Sequence, residues 1–284
     1  MQFGAMNFPV TPVLEEIDAF ARMGFDYLEL AMDPPMAHHS VLAADAEAIR
    51  DVLAARGLGL ICHLPTFVST ADLTESIRRA SMAEMRQSLE MAAELGARKV
   101  VLHPSMAGGM GAFVLDTVKA YAFEFLATMT DAAGRLGLTI CLENMFPRNR
   151  LGVTPEDFEE IFDRFPDLKL TLDTGHANIG GARSRRLLAL VDRFGPRIGH
   201  IHVSDNHGRL DDHLAVGLGT VRFDALMQRL ADVGYDDTVT LEVFDENRAM
   251  LVKSRERIRA MAGLDTNRRR PGIAGVFPGR RVRL

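Results

Sequence analysis

The sequence has only two cysteines, and no apolar stretch approaches the roughly 20 residues that cross a bilayer. Cys62 and Cys141 each lie inside an apolar run, so we expect two buried thiols rather than a disulfide. The first residues lack the basic segment and apolar block of a secretion signal and have the pattern of a strand. These absences argue against a membrane protein or a secreted protein, and we expect a cytoplasmic one.

Acidic side chains are absent from the end of the chain, between Asn267 and Leu284. Six arginines occur there: Arg268, Arg269, Arg270, Arg280, Arg281 and Arg283. Because the whole chain has a net charge of −5, the part before this tail is more acidic than the total indicates. An acidic body is a poor surface for DNA, whose affinity for proteins comes mostly from phosphate neutralisation. We therefore expect one barrel domain at 1–265 and a basic, arginine-rich tail at 266–284, which could bind nucleic acid, remain solvated or pack on a partner subunit.

Short apolar runs alternate with helical patterns eight times along the chain, which predicts an α/β fold with a single (β/α)8 TIM barrel. Strands are expected at Gln2–Asn7 and Tyr27–Leu30 and at the six runs described below. Helices are expected at Pro12–Met23, Asp45–Arg56, Thr74–Leu95, Val114–Leu136, Ser184–Phe194, Phe223–Val233 and Asn247–Met261. A further helix begins at Thr154 as N-cap with Pro155 in its first turn.

Six of the predicted strands end in a side chain that can bind a metal ion. These strands are Gly59–His63, Lys99–His103, Thr139–Glu143, Lys169–Asp173, Ile198–His202 and Thr238–Glu242. The carboxyl ends of parallel strands meet at one mouth of a barrel, so the pattern predicts a metal site there. Each residue alone has a plainer interpretation: Glu143 could pair with Arg148 or Arg150, and Asp173 could cap the amides that follow it.

Three residues in following loops, His176, Asp211 and His213, add to these ligand types. Together with the six strand ends they exceed the four to six ligands that one divalent ion takes, and they would suit two or three ions. His200 is expected to be a hydrogen-bonded core histidine, one pleat deeper than His202. We expect the remaining histidines, His38, His39 and His207, at the rim or in solvent.

The motifs around these residues resemble the xylose isomerase-like barrel superfamily. They are Cys62-His63-Leu64-Pro65, Leu102-His103-Pro104-Ser105, Leu142-Glu143-Asn144, Leu172-Asp173-Thr174-Gly175-His176-Ala177-Asn178, His202-Val203-Ser204-Asp205, Asp211-Asp212-His213-Leu214-Ala215-Val216-Gly217-Leu218-Gly219 and Leu241-Glu242-Val243. That superfamily includes sugar phosphate isomerases and epimerases as well as the apurinic-site endonuclease IV enzymes.

The isomerase and epimerase branch implies one divalent ion, such as Zn, Mn, Mg or Co. By position its ligands would be Glu143, Asp173, His202 and Glu242. Glu143 and Glu242 would be the catalytic base and acid, moving a proton through an enediolate of a sugar or sugar phosphate. His63, His103, His176 and Arg209 would contact the substrate, and Arg148 could also hold a phosphate.

The endonuclease IV branch implies two to three zinc ions and hydrolysis of a phosphoester, either apurinic-site DNA or a small molecule. The further ligands would then be His63, His103, His176, Asp211 and His213. However, the segment Met32–Met36 is acidic and proline-stiffened and has no arginine to insert into a duplex. We favour the isomerase or epimerase, with a small-molecule sugar as partner, DNA only under the alternative, no membrane contact and a possible homo-oligomer. Lyase-like or aldol chemistry and a non-enzymatic binding role remain open.

Overall fold

Eight parallel strands close into one barrel in chain order. The computed structural model describes residues 1–180, 182–244 and 248–264. The strands are β1 (Gln2–Met6), β2 (Tyr27–Ala31), β3 (Gly59–His63), β4 (Lys99–Leu102), β5 (Thr139–Glu143), β6 (Lys169–Asp173), β7 (Ile198–Val203) and β8 (Thr238–Leu241). Pairing of β1 with β8 completes the barrel, so the predicted (β/α)8 TIM barrel is confirmed.

Helices follow the strands, and the longer ones form an outer layer around the barrel. They are α1 (Val13–Arg22), α2 (His39–Arg56), α3 (Glu75–Glu94), α4 (Leu115–Leu136), α5 (Pro155–Arg164), α6 (Thr174–Asn178), α7 (Arg185–Phe194), α8 (Phe223–Asp232) and α9 (Ala249–Met261). The prediction for α2 began too late, at Asp45. Leu42 continues the buried stripe of Ala46, Ile49 and Leu53 by one more turn, and His38 caps the helix by accepting from the Ser40 amide.

The strands are buried on both faces because side chains fill the barrel interior and helices cover the outside. β2 illustrates this arrangement, since all five of its residues are buried, including the carboxylate of Glu29. Outward-facing Leu28 and Leu30 join the large apolar core between strands and helices. A charged side chain inside the barrel must therefore find partners there.

Five strand ends differ from the prediction by one residue, including β1, which ends at Met6 rather than Asn7, and β2, which ends at Ala31 rather than Leu30. β4 ends at Leu102 and β8 at Leu241, so His103 and Glu242 follow their strands, whereas β7 continues past His202 to Val203. A strand ends where its backbone hydrogen bonds to the neighbouring strands stop, and this position commonly varies by one residue. The side chains concerned still lie at the C-terminal mouth.

A bulge in β7 sets the facing of its two histidines. Leu170 pairs with Ile198 and Thr171 with His200, so Gly199 is the extra residue. A side chain at Gly199 would meet the Lys169 Cβ at 2.8 Å and the Cys141 Sγ at 3.1 Å, which explains the glycine at this position. After the bulge the register is regular, with Asp173 beside His202.

Helix α5 begins as the sequence predicts. Thr154 accepts from the Asp157 amide and Asp157 accepts from the Thr154 amide, so the two residues form a capping box, with Pro155 in the first turn. None of the described helices combines the length and apolar character needed to cross a bilayer. The arginine-rich tail predicted at 266–284 and the predicted first residue of the last helix, Asn247, lie outside the described residues.

Candidate metal centre and active site

Glu143 is the hub of the residues that gather at the mouth. It is the last residue of β5 and is almost fully buried, and three imidazole rings contact its carboxylate. His63 Nε2 lies 3.4 Å and His103 Nε2 lies 3.2 Å from its Oε2, and His176 Nδ1 lies 3.0 Å from its Oε1. The plainer interpretation of Glu143, an ion pair with Arg148 or Arg150, is wrong, because both arginines are exposed and the carboxylate is surrounded by histidines.

His202 brings the other predicted ligands together. Its Nδ1 lies 3.4 Å from Glu143 Oε2, 3.4 Å from Glu242 Oε1 and 3.7 Å from Asp173 Oδ2. Glu143, Asp173 and His202 offer ligand atoms that all lie within 4.8 Å of one another. Strands β5, β6 and β7 and the end of β8 therefore deliver the four residues of the single-ion set to one point.

Asp211 and His213 complete a continuous network of nine side chains. Asp211 Oδ2 lies 3.1 Å from both His176 Nε2 and His213 Nε2, and His213 Nδ1 lies 3.9 Å from Glu242 Oε2. The nine predicted ligands are thus connected: His63, His103, Glu143, Asp173, His176, His202, Asp211, His213 and Glu242. His63, His103 and Glu143 form a second group whose atoms lie within 4.8 Å, and this group shares Glu143 with the first.

The loop that carries Asp211 and His213 is held by Asp205, two residues after the end of β7. This buried carboxylate accepts from the backbone amides of Asn206, Gly217, Gly219 and Val221 at 2.9 to 3.0 Å. A side chain at Gly219 would meet the Asp205 Oδ1 at 2.3 Å, so only glycine allows this approach. The four hydrogen bonds to Asp205 therefore hold this loop against the end of the barrel.

Within the described residues, several buried polar atoms at the mouth lack hydrogen-bond partners. Asp173 Oδ1 accepts from the His176 amide at 2.5 Å, as its capping interpretation predicts, but its Oδ2 has no partner. His202 Nδ1 and Asp211 Oδ1 are likewise buried and unpartnered. Leaving a buried polar atom without a partner costs about 1–3 kcal/mol. Imidazole nitrogens and carboxylate oxygens that converge without bonding to one another fit a divalent cation.

The protonation equilibria at the mouth reflect its excess of carboxylates. Burial, together with the nearby carboxylates of Glu143 and Glu242, raises the pKa of Asp173 to about 8. Burial opposes protonation of His202 and His213, yet the carboxylates around them prevail. They hold the pKa of His202 well above its usual range and raise that of His213 to about 9. Without a metal ion, protons on these side chains balance the negative charge of the carboxylates. A bound divalent ion would replace those protons.

A column of hydrogen bonds inside the barrel orients His202 from below. Glu29 accepts from His202 Nε2 and from His200 Nε2, each at 2.9 Å. His200 Nδ1 lies 2.7 Å from Thr238 Oγ1, which accepts from Lys99 Nζ at 2.9 Å. Because Nε2 keeps its proton in the hydrogen bond to Glu29, an ion at the mouth would displace the Nδ1 proton of His202 and bind that nitrogen.

Other sequence predictions have mixed outcomes. His200 is confirmed as a hydrogen-bonded core histidine, His207 is exposed, and both cysteines are buried and free. Arg209 is exposed, and its contact with a substrate stays a prediction. The sequence interpretation missed Glu29, and it named Asp205 only as part of a motif, without a role. A carboxylate inside the apolar run Tyr27–Ala31 was the available signal for Glu29, because a buried charge requires partners.

Comparison with known proteins places most of the chain in one family profile. Residues 17–263 match the profile described as xylose isomerase-like TIM barrel. A ketose 3-epimerase of Arthrobacter globiformis is 26% identical over 255 residues, which cover 85% of this chain and 81% of that protein. A probable endonuclease 4 of Mycoplasmoides gallisepticum is 27% identical over 210 residues, covering 68% of this chain and 67% of that protein.

The fold is also similar to that of solved structures. The crystal structure of a D-tagatose 3-epimerase-like protein superposes with a TM-score of 0.80 at 26% sequence identity. The match covers 93% of this chain and 97% of the other.

Proposed function

Because the chain belongs to the xylose isomerase-like TIM barrel family, we propose that it is a divalent-metal-dependent sugar isomerase or epimerase. The observation that carries the proposal is the convergence of Glu143, Asp173 and Glu242 on the Nδ1 of His202. The similarity to a ketose 3-epimerase and to an epimerase-like structure supports the same reaction class.

Glu143, Asp173, His202 and Glu242 would hold the ion. When bound, a divalent ion would polarise the carbonyl of a ketose and so acidify the proton on the neighbouring carbon. The buried, unpartnered Oδ2 of Asp173 and Nδ1 of His202 support this assignment, since both are candidate ligand atoms that lie near one point.

Glu143 and Glu242 would transfer the proton. They approach the same nitrogen from strands three positions apart around the barrel, so they can face a substrate from different sides. One carboxylate would take the proton from carbon, and the other would return a proton to the enediolate on its opposite face or to its neighbouring carbon. Protonation of the same carbon on its opposite face gives the epimer, and protonation of the neighbouring carbon gives the isomer.

His63, His103 and His176 would hold substrate hydroxyl groups, because each presents a ring nitrogen to the same carboxylate hub. Aromatic rings flank the network: Phe146 lies 5.1 Å from the His176 ring and Phe244 lies 4.8 Å from the His213 ring, centroid to centroid. Phe146 is half-buried and Phe244 is 43% exposed, so a face of each can contact the apolar side of a sugar ring. If the sugar is phosphorylated, Arg209 is the predicted phosphate contact.

Proton exchange with solvent tests this proposal. Metal-loaded protein would be incubated in deuterium oxide with free ketoses and, separately, with ketose phosphates, and the sugar would be followed by NMR. We expect deuterium at the carbon beside the carbonyl and formation of the epimer or isomer, with neither after chelation. Protein with an ion located at the mouth that exchanges no ketose proton would contradict the proposal.

A zinc phosphoester hydrolase is the second candidate, and one observation favours it. His63, His103 and Glu143 form a ligand group that shares Glu143 with Asp173 and His202, as in a site with bridged ions. Crystals grown with zinc would locate the mouth ions by anomalous scattering. One ion would support the isomerase. Three ions, together with nicking of a plasmid containing abasic sites, would support the hydrolase.

A further inference from the structure

Three ligand-type side chains meet outside the mouth, between α2 and α3. His38 and His39 stand at the start of α2, and Glu84 lies in the middle of α3. His38 Nε2 is 2.7 Å and His39 Nε2 is 3.1 Å from the same oxygen, Glu84 Oε1. The sequence predicted these histidines to be at the rim or in solvent. Both are half-buried, with side chains 27% and 13% exposed, which is compatible with the rim but not with free solvent.

The three groups are close but are not hydrogen-bonded to one another. Glu84 Oε1 is buried and has no aligned donor among the residues that the structure describes, although two ring nitrogens lie within 3.1 Å of it. The His38 and His39 ring centroids lie 4.1 Å apart, and both rings direct Nε2 at Glu84 Oε1. The mouth has the same feature, because His202 Nδ1 and Asp173 Oδ2 are also close and unpartnered. Converging atoms that do not bond to one another are typical of ligands around an ion.

One ring is also held in an orientation suited to ligation. Without an ion, His38 Nδ1 accepts from the Ser40 amide; an ion on Nε2 would require the ring proton on Nδ1, which would then donate to Ser40 Oγ, 2.8 Å away. Histidines that bind metals commonly donate their other ring proton in this way. Ser40 is exposed and precedes the buried face of α2, so this contact can form without disturbing the core.

We propose that His38, His39 and Glu84 bind one divalent transition-metal ion of the Zn²⁺ class, at a site separate from the barrel mouth. Two imidazole nitrogens and one carboxylate oxygen are a common zinc ligand set, and partial exposure leaves room for water as the fourth ligand. The three atoms lie within 4.8 Å of one another, and none of the three residues belongs to the mouth network.

An ion at this site would fasten the loop after β2 to helix α3. The same loop contains Asp33, whose Oδ1 accepts from the Thr66 amide in the loop after β3 at 3.0 Å. Loops after strands border the active-site mouth in this architecture. We therefore assign the ion a stabilising role for these two loops rather than a part in the chemistry.

Zinc counting with matched variants tests the site. Desalted protein loaded with Zn²⁺ would be compared with His38→Gln, His39→Gln and Glu84→Gln, with exposed His207→Gln as the control. Each of the three should bind one ion fewer per chain or bind it about 10-fold more weakly, whereas the control should match the unchanged protein. Circular dichroism would establish that the variants are folded. With three variants the test still works if one of them does not fold.

Anomalous scattering at the zinc edge gives a direct readout. We expect a peak among the three side chains that is absent in His39→Gln crystals, while the mouth peak remains. Zn²⁺ should also raise the Tm of the unchanged protein more than that of His39→Gln. Equal zinc counts in all variants, with no peak at this position, would overturn the proposal. Sugar turnover should be similar in His39→Gln and His207→Gln, so failure here is separable from failure of the proposed function.

Discussion

Glu29 and His202, from strands β2 and β7, meet inside the barrel, with Glu29 Oε1 2.9 Å from His202 Nε2. Burial opposes ionisation of Glu29, but His202 and His200 outweigh it and hold the pKa of the carboxyl well below its usual range. As an anion Glu29 accepts a hydrogen bond from each imidazole. These bonds keep a proton on Nε2 of His202 and direct its Nδ1 at the mouth, where the proposed ion would bind.

We expect Glu29→Gln to weaken binding of the mouth ion by about 10- to 100-fold and to lower turnover, as the loss of such outer contacts typically does. A glutamine can accept from only one imidazole and must donate to the other, so one ring has to change tautomer. Isothermal titration with Mn²⁺ or Zn²⁺ would measure the change.

Tyr27→Phe is the matched control for Glu29→Gln, because it also removes a buried hydrogen bond from β2, the 2.8 Å contact with Thr240 Oγ1. It should lower stability without changing metal affinity at the mouth. Equal metal affinity in both variants would show that Glu29 has no orienting role.

Substitution of Glu242 by glutamine should abolish proton exchange and turnover. The change removes the negative charge that faces His202 Nδ1. It also removes a carboxylate that can take up and release a proton. Because glutamine has nearly the same shape, the fold should persist, as measured by circular dichroism and Tm. A fully active Glu242→Gln enzyme would remove this residue from the mechanism.

His63→Ala separates the two candidate functions. On the isomerase proposal the variant keeps the ion beside Asp173 and His202, and the KM for the sugar rises because a hydroxyl contact is lost. Ion positions from anomalous scattering, together with KM, would check this, with His207→Ala as the control. Loss of a zinc ion from the mouth would instead favour the hydrolase, in which His63 is a ligand.

The barrel and the gathering of the candidate ligands at one mouth were predictable from the sequence because both depend on local pattern. Apolar runs at regular spacing identify the strands, and the residue that ends each run identifies the mouth. His103 and Glu242 belong to the site although their strands stop one residue earlier, because the chain still leaves the barrel at the same end.

What the sequence could not provide depends on contacts between distant residues. Glu29 and His200 are 171 positions apart, and no local pattern predicts that bond. Similarly, Asp205 binds amides up to 16 residues later, so its role depends on the path of a whole loop. The pairing of His38 and His39 with Glu84 requires the packing of α2 on α3.

Asp205→Asn should destabilise the protein by about 2–4 kcal/mol and loosen the loop from Asn206 to Val221. The carboxylate accepts four amide protons with two oxygens, whereas asparagine offers only one oxygen, so buried donors lose their partner. Urea unfolding and hydrogen exchange of the loop amides would measure both effects. Asp212→Asn, an exposed change in the same loop, should be neutral; equal exchange rates in the two variants would contradict the role assigned to Asp205.

The metal-free protein should lose stability as the pH rises from about 7 to 9. His213 has its pKa raised from 6.5 to about 9, and Asp173 has its pKa raised from 3.8 to about 8. Between the ordinary and the raised pKa the folded chain binds more protons than the unfolded chain. Its free energy of unfolding therefore falls as pH increases through that range.

A bound ion should remove this decline, because it replaces the protons and binds more tightly as they leave. We expect Tm to fall by several degrees between pH 7 and 9 after chelation and to fall less, or to rise, in metal-loaded protein. His213→Gln should flatten the chelated profile, since glutamine does not titrate. A chelated protein whose Tm is constant or increases over this range would contradict the charge balance inferred for the mouth, in which carboxylates hold protons that a divalent cation displaces.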